Sequence, residues 1–447
     1  MTKIKFMAAL SLVTVLIASS YIIAARRAGN LFTTDLAGLM AEISFSPSGL
    51  NQPEVDTVIA FWQKRISQNP QAYLDYTYLG QAYNQKARET GDIAYYQRAE
   101  AALRRALAIN PRYSPSSAQL AGVLFALHDF EGALALAEPL ANEPRAFQAL
   151  ATLGDAHLAL GHYAAAEQAY QKLFERNAGP AAYSRVAILA FWQGDSAKAL
   201  ALMQQAAELA RQSEDFGESL AWYDYQVGEL YFKAGQLEAA EKQYQQALRQ
   251  FEGYYLALAG LAKVRAAHGD YEAAIEHYQQ AINQLPQPEF LAALGDIFSL
   301  TNRPEQAQLQ YDTVEVIGRL AEINQQLYNR QLANYYANQG LHPAKALHLA
   351  RLELAYRQDI DGYDTAAWAY YRNGRLAEAQ AMIEQALQFG TREARLYYHA
   401  GMIAWAQGRA EEAEQLLGEA LTINPHFDLL QAHFAQKTLE QLRAGKH

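Results

Sequence analysis

The chain has no cysteine among its 447 residues. That excludes disulfides, thiolate metal sites, a cysteine nucleophile and a lipid-anchor cysteine, and it leaves the compartment open, since absence fits oxidising and reducing sides alike. Positive charge is in deficit: 37 Lys and Arg stand against 47 Asp and Glu, a formal net charge of −10. No sustained basic stripe runs along the chain, so the electrostatic footprint of a nucleic-acid binder is missing. The acidic balance instead keeps a long surface in solution. There is no Walker phosphate loop, GxGxxG, HExxH or GxSxG. The histidines are scattered: His157 and His162 are five apart across a glycine, His342 and His348 six apart. Neither pair has the i, i+4 spacing that puts two ligands on one helical face. Glu276, beside His277, points to a different face. Glu238, Glu411 and Glu412 fall in helix first turns, where the macrodipole favours them. Composition and motif therefore predict no catalytic residue, no metal and no cofactor.

What the chain has is a period. The stretch Tyr397–Pro425 reads YYHAGMIAWAQGRAEEAEQLLGEALTINP. Gly401 lies on an apolar face, Gly408 stands where a helix can stop, and Ala413, Leu417 and Ala420 recur at i, i+4 and i+7 on a second helix. Pro425 ends the unit, because proline cannot continue a helix. The alanine equivalent to Ala413 recurs at Ala99, Ala133, Ala166, Ala199, Ala240, Ala274, Ala307, Ala346 and Ala379, mostly 33 or 34 residues apart. Gly161, Gly194, Gly235, Gly269, Gly340 and Gly374 keep step with Gly408, and Asn302 takes the glycine's place in the seventh unit. One helical hairpin cannot bury its own apolar face, so each unit needs a copied neighbour.

Leu79-Gly80-Tyr83 with Leu103 and Pro111, Leu153-Gly154 with Gly161, Tyr163, Ala166 and Tyr170, and Gly228 with Tyr231, Gly235, Ala240, Tyr244 and Ala247 follow one pattern; Leu261, Gly269, Tyr271, Ala274, Tyr278, Ala281 and Pro286 continue it. This pattern resembles the tetratricopeptide repeat. The resemblance covers roughly residues 71–425. It implies an all-α fold, a right-handed α-solenoid of about ten helix hairpins, and it says little about chemistry.

Longer pitches mark insertions. Seven extra residues lie between Gly80 and Ala99 and seven between Ala199 and Ala240, about two helical turns each, so lengthened helices keep the apolar faces in phase. Five more follow Ala307, and Pro139 is expected to end or kink its helix. At the amino terminus residues 6–25 carry no charge, enough for a helix of roughly 30 Å, the thickness of a bilayer core. Lys3 and Lys5 precede this run; Arg26 and Arg27 follow it. It reads as a signal anchor, the alternative being a signal peptide cut near Ala18-Ser19-Ser20 or Ala24-Ala25. The short amino-terminal tail favours repeats outside the cytoplasm. The expected organisation is an anchor over 1–27, a linker over 28–53, a capping helix over 54–70, the superhelix over 71–425, and a capping helix and tail over 426–447.

In the family that the repeats resemble, first helices line a concave groove that binds peptides or helices. Offsets from the leucine of the Leu-Gly pair carry over to Phe191, Trp192, Trp222, Tyr225, Glu229, Phe232 and Lys233, and to Asp361, Asp364, Trp368, Tyr371, Arg372, Arg395, Tyr398, Met402 and Trp405. Arg330 and Asn334 match part of a carboxylate clamp, but Trp368 and Tyr398 stand where its other members belong. The resemblance implies a non-catalytic scaffold or assembly factor at the cell envelope, like membrane-tethered bacterial repeat proteins. In that reading Arg372 and Arg395 meet acidic groups of a partner protein, and aromatic side chains act as anchors. The rival reading is an exported soluble protein binding a glycan or another envelope polymer, since Tyr and Trp stack on sugar faces.

Overall fold

The computed structural model describes residues 55–213, 217–324 and 329–444. The expected anchor and linker over 1–53 lie outside the described residues. Residues 1–61 and 62–447 form two units. The first helix, α1 (Val55–Gln68), begins in the former and ends in the latter. Among the described residues every regular element is helical. Ten hairpins follow α1: α2 (Tyr73–Thr90) with α3 (Ile93–Ile109), α4 (Ser114–Ala126) with α5 (Phe130–Ala137), α6 (Phe147–Ala159) with α7 (Tyr163–Arg176), α8 (Pro180–Trp192) with α9 (Ser196–Gln212), and α10 (Glu218–Lys233) with α11 (Leu237–Gln250). The second five are α12 (Tyr255–Ala267) with α13 (Tyr271–Gln284), α14 (Pro288–Leu300) with α15 (Pro304–Asn324), α16 (Asn329–Gln339) with α17 (Pro343–Tyr356), α18 (Ile360–Arg372) with α19 (Leu376–Leu387), and α20 (Ala394–Ala406) with α21 (Ala410–Ile423). The last helix, α22 (Gln431–Ala444), covers the end of the stack.

Most outgoing helices have 13 residues and half of the return helices 14, which sets the 33-residue pitch. The insertions lengthen helices: α2 and α3 have 18 and 17 residues, α9 and α10 have 17 and 16, and α15 has 21. Pro139 sits in a 3-10 turn, Glu138–Leu140, that closes α5.

Two kinds of glycine hold the hairpins in shape. The first lies in the outgoing helix and is the recess for a side chain of the return helix. A Cβ on Gly154 would stand 2.2 Å from the Tyr170 ring, and one on Gly228 2.6 Å from the Tyr244 ring. The second lies in the turn, at positive φ, where glycine carries no steric penalty. Gly161, Gly194 and Gly235 adopt φ of 75°, 82° and 71°, and Asn302, as its place in the repeat predicts, adopts 57°. After the turn an aspartate caps the return helix: Asp195 accepts the Lys198 N–H at 3.0 Å and Asp129 that of Gly132 at 2.9 Å.

Within residues 62–447 the stack coils tightly enough to touch itself. The Gln358 N–H donates to the Ala159 carbonyl at 2.9 Å, the Thr391 hydroxyl to the Trp192 carbonyl at 2.5 Å, and the buried Asn424 amide to the Phe232 carbonyl at 2.7 Å. The Tyr163 hydroxyl accepts from the Ile360 N–H at 3.0 Å. The turns of the third, fourth and fifth hairpins thus meet the loops ahead of the ninth hairpin, the tenth, and α22. Each partner lies six units further on. The three donors, Gln358, Thr391 and Asn424, recur at the repeat's own pitch.

Turn glycines at this seam have a second duty. A Cβ on Gly194 would lie 2.3 Å from the Gly390 carbonyl oxygen and one on Gly161 2.6 Å from that of Gln358, whereas a Cβ on Gly374 would meet nothing within 4 Å. Gly374→Ala should therefore cost only the left-handed backbone penalty, about 1–2 kcal/mol. Gly194→Ala should add about 1–3 kcal/mol from the forced displacement of backbone. Urea unfolding midpoints compare the two; equal losses would show that the seam does not hold the coil.

Candidate functional site

Inside the coil lies a half-open cavity of about 790 Å³, lined by outgoing helices from α10 to α20 and by the chain around α22. Two of its wall residues, Glu229 and Asp296, belong to a unit that recurs in the stack. The residue after the recess glycine is acidic in three hairpins, and the tyrosine that fills the recess donates to it. The Tyr170 hydroxyl bonds Asp155 at 2.9 Å, Tyr244 bonds Glu229 at 2.6 Å, and Tyr311 bonds Asp296 at 2.8 Å. All three sets share one spacing: Gly154, Asp155 and Tyr170; Gly228, Glu229 and Tyr244; Gly295, Asp296 and Tyr311.

The following outgoing helix supplies the acid's second partner. Arg185 forks onto Asp155, with contacts at 2.7 and 2.9 Å, and the Lys263 ammonium reaches Glu229 at 2.7 Å. For Asp296 the second partner is the neutral amide of Gln339, at 2.6 Å. The consequence shows in their acidities. Burial raises the Glu229 carboxyl, but Lys263 and the Tyr244 hydroxyl outweigh it and hold it below the usual range. Asp296 lacks a cation, and burial pushes it up to about 6 against the hydrogen bonds of Tyr311 and Gln339, with the Asp428 charge adding to the rise.

Across the cavity runs a belt of ion pairs. Arg330 bonds Asp359 at 2.6 Å and approaches Glu353 at 3.2 Å. Arg395 bonds Asp361 at 2.6 Å and Asp364 at 3.2 Å. Lys233 reaches Glu393 at 3.1 Å and lies 4.6 Å from the Phe191 ring centroid, a cation–π contact. Asp361 is held below its usual value: burial opposes ionisation, and Arg395, Arg330 and Lys233 outweigh it.

Of the residues read from the sequence as groove-facing, Tyr225, Glu229, Phe232, Lys233, Arg330, Asn334, Asp361 and Arg395 line the cavity. Phe191 is buried under Lys233. Trp192 is half-buried at the seam, and Trp222 is half-buried against Tyr223. Trp368 is 3% exposed, stacked between Tyr371 at 4.7 Å and His399 at 4.2 Å, with Arg372 5.9 Å from its ring. Tyr398 is buried beside Phe427, and Trp405 is 40% exposed and does not line the cavity. Cavity residues that the sequence reading passed over are Lys263, Glu289, Asp296, Asp428 and Gln431. Glu289 and Asp296 sit at offsets −5 and +2 from Leu294, so the same offsets would have found them in the seventh hairpin.

No described helix is long and apolar enough to cross a membrane. Among the described residues no group of three His, Asp or Glu is placed to hold a metal ion. Tetratricopeptide repeat models match residues 147–179, 180–253, 225–289 and 365–426. Solved structures of similar fold include a tetratricopeptide repeat protein from Parabacteroides merdae, at 18% identity and TM-score 0.34, covering 62% of this chain and 99% of that one. A thermophilic repeat protein of Thermus thermophilus matches at 22% identity and TM-score 0.35, over 47% of this chain and 100% of its own. The Cut9-Hcn1 hetero-tetramer of the APC/C matches at 14% identity and TM-score 0.33, over 87% and 93%. Comparison with curated protein sequences returned no match.

Asp296 generates a stability prediction. Its folded-state acidity lies above the unfolded value, so the folded chain holds the proton more tightly and loses stability as pH rises from about 4 to about 6. Asp296→Asn keeps an Oδ1 that can accept from both Tyr311 and Gln339, since both bonds end on that one oxygen. The variant should be more stable than wild type by about 1–3 kcal/mol at pH 8, with the advantage gone below pH of about 4. Denaturation midpoints across that window test it, and a pH-independent difference would remove the assignment.

Proposed function

That the chain belongs to the tetratricopeptide repeat family is the premise from which we propose a non-catalytic scaffold that holds a segment of a partner protein inside its coil. The observation that carries this reading is the cavity of about 790 Å³, within the size range of specific ligand sites. Its wall mixes apolar surface (Phe232, Leu256, Phe290 and Phe427) with ionised groups at fixed positions, the combination that binds polypeptide and orients it. The ion-pair belt refines the part played by arginine. Arg395 and Arg330 are already paired with carboxylates of the chain, so their first task is to brace neighbouring outgoing helices. The uncharged run over residues 6–25 supports a place at the cell envelope, with the coil on the outer side.

Photo-reactive residues placed in intact cells at Gln331 and Gln436, on the cavity wall, should crosslink to a protein partner. The same residues at Glu208 and Glu384, on outer surfaces, should not. Equal crosslinking from both sets would count against the cavity as the working surface. Deleting residues 1–27 should release the protein from the membrane fraction, and unchanged fractionation would count against the anchor.

A further inference from the structure

We propose that the cavity receives a lysine- or arginine-bearing segment of the partner protein, its cationic side chain seated at Asp296 between Glu289 and Asp428. This rests on the reading of the cavity as a peptide site and adds the charge of its occupant.

Six carboxylates face four cations across the lining, and the pairing among them is uneven. Lys233, Lys263, Arg330 and Arg395 each have a carboxylate within 3.1 Å. An acidic ligand would have to break one of these pairs and leave a charge stranded, a costly exchange in a site partly stripped of water. Asp296, Glu289 and Asp428 form no ion pair among the described residues. Asp296 holds only hydroxyl and amide donors. Asp428 Oδ1 accepts the Leu430 and Gln431 N–H groups at 2.9 and 2.8 Å. Glu289 lies one helical face with Asp296, seven residues earlier on α14, open to the cavity. The repeat itself marks the gap. Where Asp155 has Arg185 and Glu229 has Lys263, Asp296 has Gln339. The third member of the series lacks its cation from within.

A buried acceptor on the same lining points the same way. Gln431 is 5% exposed. The Trp368 indole, which can only donate, fixes the Asn338 side-chain oxygen as an acceptor at 2.8 Å. The Gln431 group facing that oxygen at 2.7 Å is therefore its NH₂, and its own Oε1 has no partner in the chain. Unpaired carboxylates and an unpaired amide oxygen both call for a ligand rich in donors and positive in charge, which describes guanidinium and ammonium groups. A bound metal ion does not fit, for want of three converging ligands among the described residues. Tyr225, Phe290 and Phe427 give apolar area that a polypeptide can cover.

The test uses the full chain against an array of random-sequence peptides sorted by net charge, followed by fluorescence anisotropy on those that bind. Bound peptides should be enriched in Lys and Arg. The double variant Asp296→Asn with Glu289→Gln should weaken them by about tenfold to a hundredfold, the scale of a charged hydrogen bond lost. Glu384→Gln, on the outer surface, is the control and should change nothing. Circular dichroism confirms that each variant is folded. Selection of acidic or charge-blind peptides, or affinity unmoved in the double variant, overturns the cationic assignment while the cavity remains a peptide site. Displacement of the peptides by spermidine at equal concentration overturns the polypeptide as occupant. Failure to bind any peptide overturns both this proposal and the reading beneath it.

Discussion

Successive coils of this molecule meet backbone to backbone, and much else follows from that approach. A helical repeat usually touches only its immediate neighbours. Here the turn of one hairpin comes within hydrogen-bonding distance of a loop six units on, with the Ala159, Trp192 and Phe232 carbonyls as acceptors. Such closeness leaves no room for a Cβ at Gly161 or Gly194. It also requires donors on the facing loops, supplied by a backbone N–H at Gln358, a hydroxyl at Thr391 and an amide at Asn424. The same tightness of coiling narrows the groove into a half-open cavity.

Partial enclosure changes the electrostatics of the wall. A carboxylate on the concave face of an open solenoid is bathed in water and needs no partner. Inside the coil it is partly stripped of water, so Glu229 is matched by Lys263 from the next hairpin. Matching uses such cations up. The arginines and lysines that line the interior act first as braces between outgoing helices, as Arg395 does between α18 and α20. On the proposed reading, specificity is decided by what is left unmatched rather than by what is most abundant.

The fold was legible because its determinants are local. Period, recess glycines, turn glycines and the substitution of Asn302 all act within one hairpin, and insertions of seven residues preserve helical phase. Of the residues at the concave offsets and the clamp positions, Tyr225, Phe232, Arg330, Asn334 and Arg395 line the cavity, while Trp222, Trp368 and Trp405 do not. What sequence could not reveal is non-local. The seam joins residues nearly two hundred positions apart, such as Trp192 and Thr391, so no pattern within a repeat announces it. The burial of Trp368 depends on Tyr371 from its own helix and His399 from the next hairpin. At the concave offsets the fourth, fifth, ninth and tenth units carry aromatic side chains, whereas the seventh carries Glu289 and Asp296. The charge left over at Asp296 becomes visible only when each cation has been assigned to its acid in space.

The seam also constrains how such a gene can change. Arrays of this kind commonly lengthen or shorten by copying or dropping a module. A module gained or lost between the third and ninth hairpins would slide every later loop past its mate, setting Thr391 and Asn424 against the wrong turns. Growth is tolerated only beyond the seam or by whole-turn extensions within a helix, as in α9 and α10. Module number in the middle of the chain is in this sense a fixed quantity, in the way that strand number is fixed in a closed barrel.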